Sequence, residues 1–398
     1  MMGVGKTSAA IHLMNSNPDH RFIFITPFLD EIKRIKAACQ SLKFTEPSFN
    51  KKHNKFTNFK ELIEQGRNIA STHALFQKCD SYVESLIRDQ GYTLILDEVC
   101  DVIDVLDIKP SDLRLYLRNK NVTVGHDGKA YWNDDDYARD GKDYDCVQAI
   151  KSGHVVMENG KLLIWQFPYT VFDVFDETYI LTYKFDAQIQ KYYFDMCGLH
   201  YEYIGARKSG DHYEFCSTDE MVPLSLDLSH KIQILEDDSV NAIGDELNAL
   251  SLSWFERMDL VSGKPKIKEL KQNAENVVRH KWNAKSDSLL WSTHMSYREK
   301  IAGKGYSRGF LSFNYRATNA YRNKTHLMYL INVYLVVDIK NFFLSNGIVM
   351  DDDGYATSIM IQWIWRSAIR DGNDIWLYLP SKRMRHLLNK WITEVSNG

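Results

Sequence analysis

Several features that mark other protein classes are missing from this 398-residue sequence. Its six cysteines never form a C-x-x-C pair, which argues against a zinc ribbon and against a disulfide framework. No apolar run approaches the roughly 20 residues that a bilayer-crossing helix needs, and no signal-peptide pattern opens the chain. His294, His326 and His386 lack the spacing of metal ligands. These absences predict a protein of the reduced cytosol that makes no membrane contact.

An excess of positive charge is also missing. Lys and Arg total 49 against 52 Asp and Glu, so no overall field draws the protein to a polyanion. Any nucleic-acid contact must therefore come from a local groove. The length and the 44% hydrophobic content are sufficient for two or three domains, each with its own buried core.

The first half of the chain alternates strand patterns with helix patterns. A helix is predicted to run from the first glycines through Ser8 and Met14, and another over residues 28–42. Short apolar runs predict buried strands at Phe22–Thr26, Asn68–Thr72, Tyr92–Leu96 and Thr178–Thr182. Strands that alternate with helices predict a parallel sheet with right-handed crossovers, hence an α/β fold.

The remaining pattern predicts an insertion, a hinge and a second lobe. Residues 106–170 contain two hairpin-like segments, around His126–Lys129 and Glu158–Lys161, and are predicted to form a β-rich insertion in a first lobe over 1–205. The polar residues 206–230 predict a hinge. Residues 231–398 are predicted to form a second α/β lobe. Its strands are predicted at Lys231–Leu235, Ser288–Trp291, Gly309–Phe313 and Ile375–Leu379.

The string Gly3-Val4-Gly5-Lys6-Thr7, followed by Ser8, is most of the P-loop pattern G-x-x-x-x-G-K-[ST]. In that pattern the backbone amides wrap phosphates, the lysine neutralises the β and γ phosphates, and the threonine hydroxyl binds Mg²⁺. Its first glycine would fall one place before Met1. We therefore expect the strand that normally leads into such a loop to be missing from the sequence.

The apolar strand that contains Leu94 ends in two carboxylates, Asp97 and Glu98, about ninety residues after the glycines. Asp97 can complete the Mg²⁺ shell, and Glu98 can polarise an attacking water, a division that suits hydrolysis. An isolated Asp-Glu pair is more often only the end of a strand before a loop. Its combination with the glycine-rich loop favours an ATP and Mg²⁺ site.

Together these segments resemble superfamily 2 helicases, with strings similar to those of helicase-like proteins from tailed bacteriophages. The resemblance covers the whole chain and implies two RecA-like P-loop NTPase lobes with parallel sheets. It implies nucleic-acid contacts from three segments: Thr26 and Pro27; Ser71, Thr72 and His73; and Thr318 and Asn319. Leu181-Thr182-Tyr183 stands where these helicases have a Ser-Ala-Thr motif, but it shares only a hydroxyl with that motif.

Near the C-terminus, Gln362, Arg366 and Arg370 resemble the Q-x-x-x-R-x-x-x-R helix of the same helicases. The i, i+4 spacing predicts that all three lie on one helix face. Two arginines on one face suit a γ-phosphate, and the resemblance makes all three catalytic together with Lys6 and Glu98. An ordinary solvated face with salt bridges is the alternative for this helix.

The sequence thus predicts an ATP-dependent helicase or translocase that acts on single-stranded or partly duplex DNA, or on RNA, in the cytoplasm of a phage's host cell. A phage DNA-packaging ATPase is one alternative; it would need a nuclease site, for which Asp351–Asp353 is the sole candidate. A non-catalytic nucleic-acid-binding remnant is another. Two further features stay open: an aromatic group that could stack on bases, at Tyr183, Phe185, Tyr192, Tyr193 and Phe194, and the basic string Lys382-Arg383-Met-Arg385.

Overall fold

A computed structural model describes residues 5–49, 54–137, 141–221, 227–315 and 320–397. The chain divides into two compact units. The N-terminal unit comprises Gly5–Glu220 and Val336–Met350, and the C-terminal unit comprises Met221–Leu335 and Asp351–Gly398.

The N-terminal unit is a mixture of helices and short strands. Its helices up to residue 220 are α1 (Lys6–Ser16), α2 (Leu29–Ala38), α3 (Lys55–Glu64), α4 (His73–Phe76), α5 (Ser81–Gln90), α6 (Pro110–Arg118), α7 (Tyr144–Lys151), α8 (Thr170–Asp173) and α9 (Ile189–Cys197). Its strands are β1 (Arg21–Thr26), β2 (Ile69–Thr72), β3 (Tyr92–Asp97), β4 (Ile103–Val105), β5 (Val122–Val124), β6 (Ala130–Trp132), β7 (Val155–Glu158), β8 (Leu162–Gln166), β9 (Glu177–Leu181), β10 (Ile204–Ser209) and β11 (His212–Ser217).

Four of these strands form a parallel sheet in the order β2-β1-β3-β9. Every residue of β3 is buried, and so is every residue of β1 after Arg21, because helices cover both faces of the sheet. All four predicted strands are confirmed to within one or two residues. Since the strands are parallel, their carboxyl ends Thr26, Thr72, Asp97 and Leu181 lie along one edge of the sheet.

Residues 106–170, predicted as a β-rich insertion, contain the helices α6 and α7 as well as the strands β5 to β8, and they have a core of their own. Strands β4, β8 and β7 form an antiparallel sheet, and β5 and β6 form a hairpin. The two turns expected from the Asp-Gly and Asn-Gly dipeptides connect β5 to β6 and β7 to β8. A cluster of buried side chains, among them Leu113, Trp132 and Val147, fills the space between these strands and helices α6 and α7.

Residues 206–217 differ from the expected hinge. They lie in the antiparallel hairpin of β10 and β11, which packs against helix α1. Phe215 stacks on Tyr179 of β9 with ring centroids 5.3 Å apart, and His212 stacks on His12 of α1 at 3.9 Å.

The second half of the chain contains the remaining elements. They are α10 (Leu228–Lys231), β12 (Ile232–Ile234), α11 (Asp238–Asn241), α12 (Leu252–Leu260), α13 (Pro265–Asn276), β13 (Leu289–Ser292), α14 (Arg298–Ile301), β14 (His326–Tyr329), α15 (Val337–Ser345), α16 (Asp352–Ile364), β15 (Ile375–Tyr378) and α17 (Lys382–Asn397). A π-helical turn, Val277–Lys281, continues α13.

The C-terminal unit contains a second parallel sheet, with the order β12-β15-β14-β13. Three of its four strands agree with the sequence prediction. The strand expected at Gly309–Phe313 is wrong: Ser307–Gly309 is a 3₁₀ turn, and Phe310 makes one isolated bridge to Trp291. The fourth strand of the sheet is the central strand β14, at His326–Tyr329. The sequence does not predict it, because His326–Tyr329 begins a long apolar run that is ambiguous between helix and strand.

Helix α15 belongs to the N-terminal unit, although the sequence places it inside the predicted second lobe. It packs beside β4 of the insertion. The rings of Phe343 and Tyr192 lie 6.4 Å apart, and the Ser345 Oγ donates a hydrogen bond to Glu158 at 3.0 Å. Among the described residues, no helix is both long and apolar enough to cross a membrane.

Candidate active site at the carboxyl edge of the first sheet

Asp97 is the centre of the candidate site. It ends β3, and its side chain accepts two hydrogen bonds: from the Thr7 Oγ1 at 3.2 Å and from the Thr26 Oγ1 at 3.2 Å. Thr7 lies in the first turn of α1, and Thr26 ends the neighbouring strand β1. The residue is only 7% exposed. Three segments that are distant in the sequence therefore converge on one buried carboxylate.

The surroundings of Asp97 disfavour its negative charge. Burial, and after it the nearby carboxylates of Glu98 and Glu31, together raise the pKa of this carboxyl to about 7, against the opposing effect of the two threonine hydrogen bonds. A cation bound beside Asp97 would offset both the cost of burying the negative charge and the repulsion from Glu98 and Glu31.

Helix α1 begins at this edge of the sheet. Gly5 precedes it in the left-handed conformation, with φ of 83°, and Lys6 is its first residue. The backbone N–H groups in the first turn of an α-helix have no partner within the helix, and the helix dipole favours anions at that end. Lys6 adds a positive charge at the same point, so the start of α1 offers both features of a phosphate site. Gly3 and Val4 lie outside the described residues.

An aromatic ring occupies the space beside Gly5. A Cβ at this position would lie 2.2 Å from Cδ1 of Tyr213, a residue of β11. Both the left-handed φ and the ring contact therefore require glycine. The sequence gives no local signal of this contact, because the hairpin that carries Tyr213 is about 200 residues from the loop.

Glu98 follows Asp97 in an unusual backbone conformation. Its φ is 68°, a region that L-residues other than glycine, asparagine and aspartate rarely occupy. The Glu98 N–H donates to the carbonyl of Leu181 at 3.2 Å, and its Oε2 accepts from the Thr182 Oγ1 at 3.3 Å. Backbone strain of this kind persists where the surrounding structure holds it, often at functional sites. The half-buried carboxylate is thus held at the edge of the sheet.

A second side chain, which the sequence does not single out, supports the loop after Glu98. The Oε1 of Gln190, on α9, accepts a hydrogen bond from the Cys100 N–H at 3.0 Å. Gln190 is 1% exposed, so the contact is enclosed. The loop is therefore fixed by β9 on one side and by α9 on the other.

Three of the expected nucleic-acid contacts point into the protein. Thr26, Ser71 and His73 are 0%, 2% and 6% exposed, and the His73 Nε2 donates to the carbonyl of Asp97 at 3.2 Å. In this arrangement these three side chains cannot contact a nucleic-acid strand. Their positions in β1, in β2 and in the first turn of α4 direct them into the protein. Pro27 and Thr72 remain partly exposed. Thr318 and Asn319 lie outside the described residues.

The expected helix face of Gln362, Arg366 and Arg370 is wrong. Helix α16 ends at Ile364, and the chain continues through a turn into a 3₁₀ segment, Ala368–Asp371. The α-helical pattern stops at Arg366, whose N–H donates to the carbonyl of Trp363 at 3.1 Å, and the Ala368 N–H donates to the carbonyl of Lys324 at 2.9 Å. Gln362 bonds to the Oγ of Ser358 in its own helix, at 3.1 Å. Arg366 is 4% exposed, whereas Arg370 is exposed.

Most members of the aromatic group and of the basic string, the two features that the sequence leaves open, have structural contacts in this fold. Tyr192, Tyr193 and Phe194 are at most 6% exposed and belong to the core. In the basic string, Arg383 pairs with Asp353 at 2.7 Å, and Arg385 donates to the carbonyls of Leu379 and Pro380. In the same two sets, Tyr183 and Phe185 are only partly buried and Lys382 is exposed.

Comparison with known proteins gives one close relative. Over 404 aligned residues the chain is 40% identical to the SPbeta prophage-derived uncharacterized protein YonV of Bacillus subtilis (strain 168), and the match covers 98% of this chain and 97% of that protein. Residues 226–392 match the family described as the YonV C-terminal Rossmann-like domain. This description agrees with the second parallel α/β sheet.

Two solved structures are similar at low sequence identity. One is titled XPD_APO, with a TM-score of 0.47 and 12% identity, and it covers 97% of this chain and 94% of that chain. The other is titled Structure of S. tokodaii Xpd4, with a TM-score of 0.45 and 11% identity, over 98% and 92% of the two chains. At TM-scores below 0.5, these likenesses carry no conclusion about this chain.

Proposed function

This chain belongs to the family of the prophage protein YonV, and for it we propose an ATP-dependent helicase or translocase that moves on a nucleic-acid strand, DNA in the first instance, in phage replication or recombination. The proposal rests on one arrangement: the hydroxyls of Thr7 and Thr26 converge on the buried Asp97 at the start of α1. Ligands of open parallel α/β sheets bind at the carboxyl edge of the strands, which is where these groups meet.

The residues present fit Mg-ATP. Asp97 and Thr7 supply the oxygen ligands that Mg²⁺ prefers, and the neighbouring carboxylates Glu31 and Glu98 add negative charge. Mg²⁺ at this position would neutralise charge on the β- and γ-phosphates. Lys6 and the backbone amides of the first turn of α1, including that of Ser8, would hold those phosphates.

Glu98 would act on water. Its strained backbone and its bond to Thr182 fix the carboxylate just beyond Asp97. From there it can accept a proton from a water molecule as the water oxygen attacks the γ-phosphorus. The bond between that phosphorus and the β,γ-bridging oxygen breaks, and ADP and inorganic phosphate leave. Gln362, Arg366 and Arg370 are the candidates for stabilising the charge on the transferred group, a role that rests on the motif alone.

The packaging alternative loses its candidate nuclease residues. Asp351 accepts hydrogen bonds from the N–H groups of Asp353 and Gly354 and so caps α16. Asp352 accepts from the Leu335 N–H at 2.9 Å, and Asp353 pairs with Arg383. Each carboxylate of this run therefore has a structural partner.

Steady-state ATP turnover, measured with and without single-stranded DNA or RNA, tests the proposal. We expect slow turnover that rises at least several-fold with a strand of either kind, and we expect no turnover in Lys6→Ala. Lys36→Ala is a matched control, because Lys36 lies on the exposed side of α2. Wild-type protein without turnover under any of these conditions would favour a non-catalytic binding protein.

A further inference from the structure

A recess lies in the C-terminal unit, on the second parallel sheet. It is a cavity of about 420 Å³ lined by Gln233, Ile234, Leu235, Lys281, Trp282, His326 and Trp376. Gln233, Trp376 and His326 are partners in register across β12, β15 and β14, so the recess crosses these three adjacent strands. On β12 it extends as far as Leu235, the residue after the strand.

Aromatic rings make up much of the lining. Trp376 and His326 are partners in register on adjacent strands, and their rings stack with centroids 4.9 Å apart and planes 12° apart. Trp282 leans on the same imidazole at 5.3 Å. All three rings are only partly buried. Burial also lowers the pKa of His326, which favours the neutral ring for stacking.

The polar part of the lining offers hydrogen bonds and little free positive charge. Gln233, which is exposed and pairs with Trp376 in register, carries an amide that can both donate and accept. The Lys281 ammonium lies 2.7 Å from the Asp237 carboxylate, so the charge of the recess is already balanced. A phosphate would have to break this ion pair and approach Asp237, whereas an uncharged planar ring would not.

The backbone beside the recess is unusual as well. Lys281 ends the π-helical turn that continues α13, and Trp282 follows it directly. π-helical turns are rare and occur frequently at functional sites. The cavity volume also falls in the range of roughly 300–1,000 Å³ that is typical of small-ligand pockets.

We propose that this recess binds a nucleobase, which stacks against the aromatic rings around Trp376 and bonds to the amide of Gln233. The base could belong to an unstacked strand or to a free nucleoside, since both present the same ring. The inference extends the proposed function to a second contact with nucleic acid, and it does not depend on hydrolysis of ATP.

Fluorescence of 2-aminopurine tests the proposal with the full-length chain. The protein has nine tryptophans, which makes intrinsic fluorescence ambiguous, whereas 2-aminopurine reports its own stacking. One arm uses 2-aminopurine riboside, and the other uses a dT oligonucleotide with a single central 2-aminopurine. We expect saturable quenching in at least one arm, and the arm that responds identifies the source of the base.

A matched pair of variants isolates the aromatic face. Trp376→Leu keeps an apolar side chain but removes the π-face, and it should weaken binding roughly tenfold or more, as loss of one stacking ring does. Trp376→Phe should retain most of the affinity. Tyr131→Ala removes an exposed ring from the N-terminal unit and should bind like the wild type. Thermal melting confirms that each variant is folded.

Three results would overturn the proposal. The first is the absence of saturable quenching in both arms. The second is equal affinity of wild type and Trp376→Leu. The third is an affinity that falls steeply with salt, because contact with phosphates, and not with the base, produces that dependence. Turnover of ATP does not enter this measurement, so failure of the proposed ATPase and failure of the base pocket can be told apart.

Discussion

The phenol ring of Tyr213 lies against Gly5, in the space that a side chain at position 5 would occupy. This contact joins the start of α1 to the hairpin of β10 and β11, which the sequence suggests only as a hinge. The loop that precedes α1 is thus supported from the side by a residue about 200 positions away.

The first prediction concerns this contact. Tyr213→Ala should lower the free energy of unfolding by about 1–3 kcal/mol, because a half-buried ring is lost, and should raise the KM for Mg-ATP if the ring supports the phosphate loop. Tyr213→Phe should preserve both quantities. Chemical denaturation and steady-state kinetics measure the two effects.

A double-mutant cycle checks that the contact is direct. Gly5→Ala introduces a Cβ into the ring and forces a non-glycine residue to φ of 83°, so it should be destabilising. In the Tyr213→Ala background the cost should be smaller, because only the backbone strain remains. Strict additivity of the two changes in unfolding free energy would refute direct contact.

The bond from Thr182 to Glu98 gives the second prediction. Thr182→Val removes the only hydroxyl of that side chain, whose Oγ1 donates to the Glu98 carboxylate at 3.3 Å. Turnover should fall about tenfold, in line with roughly 1.4 kcal/mol for a hydrogen bond to a charged group, and the KM for ATP should change little. Thr182→Ser should restore turnover. Equal rates in Thr182→Val and wild type would remove Thr182 from the mechanism.

Substitutions of Arg366 and of Arg370 should have different effects on stability and on turnover. Arg370 is exposed, so Arg370→Ala should leave the melting temperature unchanged; if this side chain acts on the γ-phosphate, turnover should drop by roughly 10³. Arg370→Lys should not restore the rate, since an ammonium lacks the planar fork. Arg366 is 4% exposed, and Arg366→Ala should lower stability by about 3–5 kcal/mol, because it disrupts a buried charged group and its contacts. Unchanged turnover in Arg370→Ala would assign the motif to structure alone.

The stability of the C-terminal unit should depend on pH through His294. Burial lowers the pKa of His294 to about 4, below the 6.5 of an unfolded chain, so the folded state binds fewer protons between these values. The stability that the neutral His294 contributes is therefore complete above pH 6.5 and is lost as the pH falls toward 4, on the order of 3 kcal/mol in all. Melting temperatures of His294→Gln should decline less over this window. His20→Gln, at an exposed position, should follow the wild type.

The first sheet could be predicted from the sequence because its two central strands, β1 and β3, are buried on both faces. Continuous apolar runs such as Phe22–Thr26 and Tyr92–Leu96 are stable only as strands that are buried on both faces. Each run ends at residues that terminate a strand. The convergence on Asp97 follows from the same logic, since parallel strands place their carboxyl ends at one edge. Here the local pattern and the tertiary structure agree.

The remaining parts depend on contacts between distant segments. The sequence near Gly5 does not predict the contact with Tyr213. The sequence near Val336 does not predict that α15 belongs to the N-terminal unit. The spacing of Gln362, Arg366 and Arg370 is helical, but the helix ends at Ile364, and the chain beyond it bonds through Ala368 to the distant Lys324. Spacing predicts a shared face only while the helix continues.

Single-turnover hydrolysis by Glu98→Gln, measured beside its affinity for Mg-ATP, tests the central claim most directly. The amide keeps the size of the side chain and removes the carboxylate that accepts the proton of water. We predict nucleotide affinity within about threefold of the wild type and a rate of hydrolysis at least about 100-fold lower, with single-stranded DNA present. Hydrolysis at the wild-type rate, or loss of nucleotide affinity in parallel with the rate, would contradict the assignment of this site.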